Sequence, residues 1–82
     1  MHHQIFLENM RKYQPSLYWD SAYAIAMALI DYYPDLQPEL VGLEELADLI
    51  EALPGFMDDP AMATERILID IQIVWYEEKT QE

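Results

Sequence analysis

Apolar residues recur at helical spacing in four segments of the chain, and prolines separate these segments. The first segment carries Phe6, Met10 and Tyr13 at positions i, i+4 and i+7, which predicts a short helix over residues 4–13. A helix of this length is marginal on its own, because its first turn orders several residues for a single hydrogen bond.

The second and third segments predict two further helices. The second helix is expected over residues 20–33, with Asp20 as its N-cap and Pro34 as the residue that ends it. Pro38 is expected to begin a brief helical turn before the third helix, over residues 43–53. The solvent-facing side of that third helix carries only acidic side chains, namely Glu44, Glu45, Asp48 and Glu51.

The fourth segment, residues 61–78, fits two periodicities. Its isoleucines alternate like those of a strand, but its length and the start signal Asp59-Pro60 favour a helix. Its main apolar face contains both Ile71 and Trp75. A second apolar strip lies beside that face and requires a cover, either the N-terminal segment or a second copy of the chain; the strip consists of Ile69, Ile73 and Tyr76.

The composition indicates one small soluble protein. The 82 residues, 52% of them hydrophobic, suffice for one modest core. We find no signal peptide and no apolar run long enough to cross a bilayer, so we expect a cytoplasmic protein. There is no cysteine and no glycine-rich phosphate loop, and the only histidines, His2 and His3, lie at the N-terminus. We therefore expect no enzyme.

The charge narrows the classes of partner. A formal charge of −12 disfavours binding to nucleic acid or to an anionic membrane, and favours a basic protein surface or a hard cation. From charge alone, a partner-binding face and a merely solvating face are equally supported.

From Trp19 to Glu78 the chain resembles the IscX family, the small acidic accessory proteins of bacterial iron-sulphur cluster assembly. Two blocks of sequence carry most of this resemblance. The first contains Asp31 and Tyr33-Pro34-Asp35-Leu36, and the second contains Phe56, Asp58-Asp59-Pro60, Glu65, Ile67-Leu68, Ile71, Val74-Trp75 and Glu77-Glu78.

The resemblance implies an all-α fold, a small compact domain of about four helices related to the winged helix. Residues 19–82 would form this domain, and residues 1–18 an N-terminal extension. Trp19 and Trp75 are expected in the core. The implied function is that of an acidic adaptor that docks on a cysteine desulfurase and modulates sulphur transfer.

The candidate partner-binding residues are Asp31, Asp35, Asp58, Asp59 and Glu65. The first four are also candidate ligands for weakly bound Fe²⁺, since carboxylate oxygens suit hard divalent ions. No tightly bound cofactor is expected. Asp59 is expected to act as an N-cap rather than as a ligand. Asp58 and Glu65 are expected to be the carboxylates of this segment that are freer of local hydrogen bonds.

Three positions that are acidic in the family carry Gln37, Met57 and Ile69 here, which weakens the case for iron binding.

Two alternatives to the adaptor function stay open. The first alternative is a weak ferrous-iron donor. The second is a structural subunit that binds a larger assembly through the second apolar strip and the N-terminal segment. A monomer or a weak homodimer is expected.

Overall fold

The computed structural model describes residues 16–81, which contain three α-helices and two single 3-10 turns. The helices are α1 (Ala22–Tyr32), α2 (Leu43–Glu51) and α3 (Glu65–Thr80), and the turns are Pro38–Leu40 and Pro60–Met62. Within the described residues no strand forms, apart from one isolated parallel bridge between Leu17 and Phe56. The all-α prediction is confirmed. The helix predicted over residues 4–13 lies outside the described residues, so neither the count of four helices nor the winged-helix relation is confirmed.

The start of α1 differs from the prediction. Asp20 is not the N-cap: the helix begins at Ala22, and Ser21 occupies the cap position without a capping side-chain bond. The reason is a turn before the helix, in which the amide of Ser21 donates to the carbonyl of Tyr18 at 2.8 Å. This turn places Asp20 outside the helix, where its side chain is exposed.

The start of α3 is also later than predicted. Asp59 does act as a cap, but of the 3-10 turn Pro60–Met62, where its Oδ1 accepts from the amide of Ala61 at 3.0 Å. Extended backbone at Ala63 then interrupts the helical path. Thr64 caps α3 itself, since its hydroxyl accepts from the amide of Ile67 at 3.2 Å. The choice of helix over strand for this segment is confirmed.

The core lies between α1, one face of α3 and the buried stripe of α2. Its fully buried large side chains are Trp75, Ile25, Leu29, Leu46, Ile50 and Ile71. Trp19 is also buried and meets Phe56 edge to face, with ring centroids 4.9 Å apart. The prediction that Trp19 and Trp75 belong to the core is confirmed.

Helices α1 and α3 run side by side in the same direction. Near their N-terminal ends, the indole N–H of Trp19 donates to the carbonyl of Asp59 at 2.8 Å. At their C-terminal ends, the ammonium of Lys79 donates to the carbonyl of Pro34. These two contacts bring the beginnings of the helices together at one end of the molecule and their ends together at the other.

Gln72 attaches the first 3-10 turn to α3. Its side-chain amide donates to the carbonyl of Pro38 at 2.8 Å and to the carbonyl of Val41 at 2.9 Å. Both carbonyls lie in the partly buried segment between α1 and α2. If the side-chain amide of Gln72 were removed, water would replace its hydrogen bonds only incompletely. The amide therefore fixes the path of the chain between α1 and α2.

We expect Gln72→Met to lower the free energy of unfolding by about 1–2 kcal/mol, because methionine keeps the side-chain bulk but removes both hydrogen bonds. Chemical denaturation followed by circular dichroism measures this loss. The matched control is Gln81→Met at the exposed end of α3, which should change stability by less than about 0.5 kcal/mol. Equal losses for the two variants would contradict this role of Gln72.

Candidate protein-interaction surface

The described part of the molecule is strongly acidic, and its charges lie at the surface. Of the chain's 16 acidic residues, only Glu8 and Glu82 lie outside residues 16–81, whereas of its 4 basic residues only Arg66 and Lys79 lie inside. No charged or polar residue of the described part is buried. The two cations are too few to neutralise the carboxylates around them.

The parallel arrangement of α1 and α3 places four carboxylates at one end of the molecule. Asp31 lies in the last turn of α1, Asp35 follows in the bend, and both are exposed. Glu77 and Glu78 lie in the last turn of α3, next to the lysine that binds the bend. We call these four residues, Asp31, Asp35, Glu77 and Glu78, the acidic end.

Helix geometry strengthens the negative potential of the acidic end. The C-terminus of each α-helix carries about half a negative charge, and two such termini meet here. Carboxylates at a helix C-terminus are mildly unfavourable for the helix. They therefore contribute little to helix stability. Asp31, Asp35 and Glu77 are exposed and can contact other molecules, and Glu78 is half-buried.

Asp58 is not the free carboxylate that the sequence suggested. Its Oδ2 accepts from the amide of Trp19 at 2.9 Å, and its Oδ1 accepts from the amide of Asp59 at 2.8 Å. The half-buried carboxylate thereby joins the segment before α1 to the segment before α3, 39 residues further along the chain. Its first role is structural.

Asp59 and Glu65 lie at the same end as Asp58, opposite the acidic end. Asp59 caps the second 3-10 turn, and Glu65 is the exposed first residue of α3, where the positive helix terminus favours an acid. The 11 residues of α1 separate this group from the acidic end by about 16 Å. The five candidate residues therefore form two groups rather than one site.

The candidate iron ligands do not form a chelating site. Within residues 16–81, no group of three or more histidine, aspartate or glutamate side chains is arranged to hold a metal ion. Each oxygen of Asp58 already accepts one backbone N–H group, which leaves this carboxylate fewer lone pairs for a metal ion. Weak binding of Fe²⁺ by Asp31, Asp35, Asp58 and Asp59 stays a prediction.

The acidic face of α2 agrees with its sequence pattern. Glu44, Glu45 and Asp48 are exposed and Glu51 is half-buried, while Leu46 and Ile50 are buried on the other side. This face provides a second exposed set of carboxylates for comparison with the acidic end.

Sequence reasoning did not select Glu77 and Glu78 as candidate site residues, although both close the second block of the family resemblance. Their nearness to the bend after α1 depends on the contact between Lys79 and Pro34, which are 45 residues apart. Two signals were available: the place of both residues in the resemblance, and the adjacency of two acids and one lysine at the end of a predicted helix.

These features define a small all-α domain with an exposed acidic surface. Within the described residues, no helix combines the length and apolarity that a membrane crossing needs. A family model for iron-sulphur cluster assembly matches residues 17–80, and the chain belongs to this family, the IscX family. Membership supports involvement in iron-sulphur cluster assembly.

One relative shares nearly the whole matched region. The chain is 36% identical over 64 residues to the uncharacterized protein PA3808 of Pseudomonas aeruginosa. The alignment covers 78% of this chain and 97% of the relative.

Proposed function

We propose that this protein is a non-catalytic acidic adaptor of iron-sulphur cluster assembly, which docks on a cysteine desulfurase and modulates its sulphur transfer. Family membership supports the pathway, and the resemblance of the sequence implies the partner. The observation that carries the proposal is the acidic end, where carboxylates lie at the C-terminal ends of both α1 and α3.

We expect the acidic end to bind a basic patch on the surface of the partner. The ammonium of Lys79, the cation of this region, is engaged with the carbonyl of Pro34 and supports the bend that carries Asp35. Exposed carboxylates attract a basic surface over about 8 Å at physiological salt, and this attraction mainly raises the rate of encounter. Such a complex is sensitive to salt.

The two groups of candidate residues have different roles in this proposal. Asp31 and Asp35 contact the partner. Asp58 and Asp59 preserve the shape of the surface through their bonds to backbone amides, while the exposed Glu65 adds charge at the opposite end. Neutralising Asp31 and Asp35 should therefore affect binding more than it affects folding.

We expect the double variant Asp31→Asn/Asp35→Asn to bind the cysteine desulfurase of the same organism about tenfold more weakly than the natural chain does. Calorimetric titration at about 0.05 M salt measures this difference, and affinity should fall steeply towards about 0.3 M salt. Both replaced side chains are exposed, so thermal denaturation should show little change in stability.

The matched control is Glu44→Gln/Asp48→Asn, which removes the same net charge from the exposed face of α2. It should weaken binding by less than about threefold if docking uses the acidic end. Absence of binding by the natural chain at low salt would refute the desulfurase as the partner. Equal weakening by both double variants would refute the acidic end as the contact surface.

A further inference from the structure

Helix α3 presents a row of apolar side chains to solvent. Ile69, Ile73 and Tyr76 are 39%, 49% and 46% exposed, so the described residues cover them only in part. They follow one another at i, i+4 and i+7, and the row therefore runs about 10 Å along the helix. We call these three residues the α3 strip. A contiguous apolar row on a strongly charged surface is typical of a contact with another molecule.

An open groove of about 430 Å³ borders the α3 strip. Its lining residues come from α3 and from the first 3-10 turn, and they are Glu39, Gln72, Ile73, Tyr76 and Glu77. Ile73 and Tyr76 supply apolar surface, whereas Glu39 and Glu77 are exposed carboxylates. The groove therefore combines an apolar floor with an acidic rim.

The polar side chains of the groove accept hydrogen bonds more than they donate them. Both N–H groups of the Gln72 amide already donate to backbone carbonyls of the segment between α1 and α2, which leaves this side chain only an acceptor oxygen. The carboxylates of Glu39 and Glu77 are acceptors as well, and only the hydroxyl of Tyr76 can still donate. A lysine or arginine side chain complements such a groove in both hydrogen bonding and charge.

We propose that the α3 strip and its groove bind a basic amphipathic helix of another protein. Apolar side chains of that helix pack on the strip, and its lysines or arginines contact Glu39 and Glu77. These cations lie at the Tyr76 end of the strip, because Arg66 lies one turn before Ile69 at the other end. Glu77 also belongs to the acidic end, but this partner is inferred independently of the desulfurase.

The spacing of the α3 strip favours a helix over an extended segment as the occupant. The steps along the strip are about 6 Å from Ile69 to Ile73 and about 4.5 Å from Ile73 to Tyr76. A partner helix with apolar residues at i, i+4 and i+7 has the same steps, whereas an extended segment places side chains of one face about 6.6 Å apart. An extended segment would also bring backbone N–H and C=O groups that need partners, and a helix pairs its own.

Charge argues against a second copy of this chain as the occupant. A symmetric contact would bring Glu39 and Glu77 of two molecules together, each molecule with a formal charge of −12. Within residues 16–81 the cations are Arg66 and Lys79, and the ammonium of Lys79 already donates to the carbonyl of Pro34. The described part of a second copy therefore offers few cations to the rim.

A designed peptide tests the docking surface in the full-length protein. The test peptide is an alanine-rich helix of about 15 residues, with leucines at i, i+4 and i+7 and lysines towards one end. The control peptide has the same composition, but its leucines are distributed around the helix. Amide chemical shifts of the ¹⁵N-labelled protein should show about tenfold tighter binding of the test peptide, with the changes centred on residues 69–77.

Two glutamate substitutions separate apolar docking from attraction by charge. Ile73→Glu places a carboxylate in the middle of the strip, at a half-exposed position, and should weaken binding of the test peptide about tenfold. Tyr23→Glu adds the same charge on α1, where the side chain is 60% exposed, and should not weaken binding. Attraction by net charge alone would instead tighten binding of the basic peptide to both variants.

A double substitution tests the acidic rim of the groove. Glu39→Gln/Glu77→Gln should weaken binding of the test peptide about fivefold and reduce its dependence on salt. The matched control is Glu44→Gln/Asp48→Asn, which removes the same net charge from the exposed face of α2 and should change binding by less than about twofold. Equal weakening by the two double variants would contradict contact at the rim.

Further results would overturn the proposal. Equal binding of the two peptides, or unchanged binding by Ile73→Glu, would show that the α3 strip is not the contact. Nuclear Overhauser contacts between the Ile73 side chain and residues 1–15 in the peptide-free protein would identify this chain's own N-terminal residues as the occupant. A concentration-dependent dimer that Ile73→Glu abolishes would identify a second copy.

Discussion

Trp75→Ala should lower the free energy of unfolding by about 3–5 kcal/mol, the largest effect that we expect from a single substitution in this protein. The Trp75 side chain is 0% exposed and lies in the core that α1 and α3 share. Its indole N–H has no hydrogen-bond acceptor among the described residues, so its contribution comes from packing. A domain of 82 residues has a total stability of about 4–12 kcal/mol, so this loss removes a large fraction of the total.

Urea denaturation followed by far-ultraviolet circular dichroism measures this loss, and Trp19 remains as an independent fluorescent probe. Tyr23→Ala is the matched control, because Tyr23 is an aromatic residue of α1 that is 60% exposed. Its replacement should cost less than about 1 kcal/mol. A similar cost for both substitutions would mean that Trp75 is not the centre of the core.

Asp58→Ala should lower the free energy of unfolding by about 2–3 kcal/mol, although Asp58 is only half-buried. The carboxylate accepts two backbone N–H groups, and a hydrogen bond to a charged group contributes about 1.5–3 kcal/mol. Partial exposure allows water to replace some of this interaction. For a domain of this size the loss corresponds to a fall in Tm of about 10 °C or more.

Thermal denaturation of three variants separates the structural role of Asp58 from simple loss of charge. Asp58→Asn should cost less than Asp58→Ala, because the amide keeps one acceptor oxygen. Asp59→Ala removes the same charge but loses one exposed side-chain bond, to the amide of Ala61, and should cost about 1 kcal/mol. Equal falls in Tm for Asp58→Ala and Asp59→Ala would contradict the structural role.

The helices were predictable because their signals are local. The stripe of α2 and its acidic face follow from residues three and four positions apart, and the structure confirms both. The exact helix starts were less predictable, because several residues near each start are good caps. Asp20 and Asp59 both resemble N-caps, yet a preceding turn excludes the first and extended backbone at Ala63 shifts α3 to the Thr64 cap.

The candidate surface depends on contacts between distant residues. No local pattern pairs the carboxylate of Asp58 with the amide of Trp19, and therefore sequence reasoning placed Asp58 among the free acids. The placement of Asp31, Asp35, Glu77 and Glu78 at one end of the molecule likewise depends on the packing of α1 against α3. The roles of Asp31 and Asp35 in partner binding stay predictions that the titration above tests.

The resemblance indicated the iron-sulphur cluster assembly family, and the family model shows it. Composition and local periodicity were sufficient to establish that the chain is acidic and helical. They were sufficient because helix formation and net charge depend on residue types and on neighbours within about one turn. Only the tertiary structure determined that α1 and α3 run in the same direction, which carboxylates are bound to backbone amides and which are exposed. These properties arise when side chains far apart in sequence pack into one core. Patterns among neighbouring residues do not determine that packing.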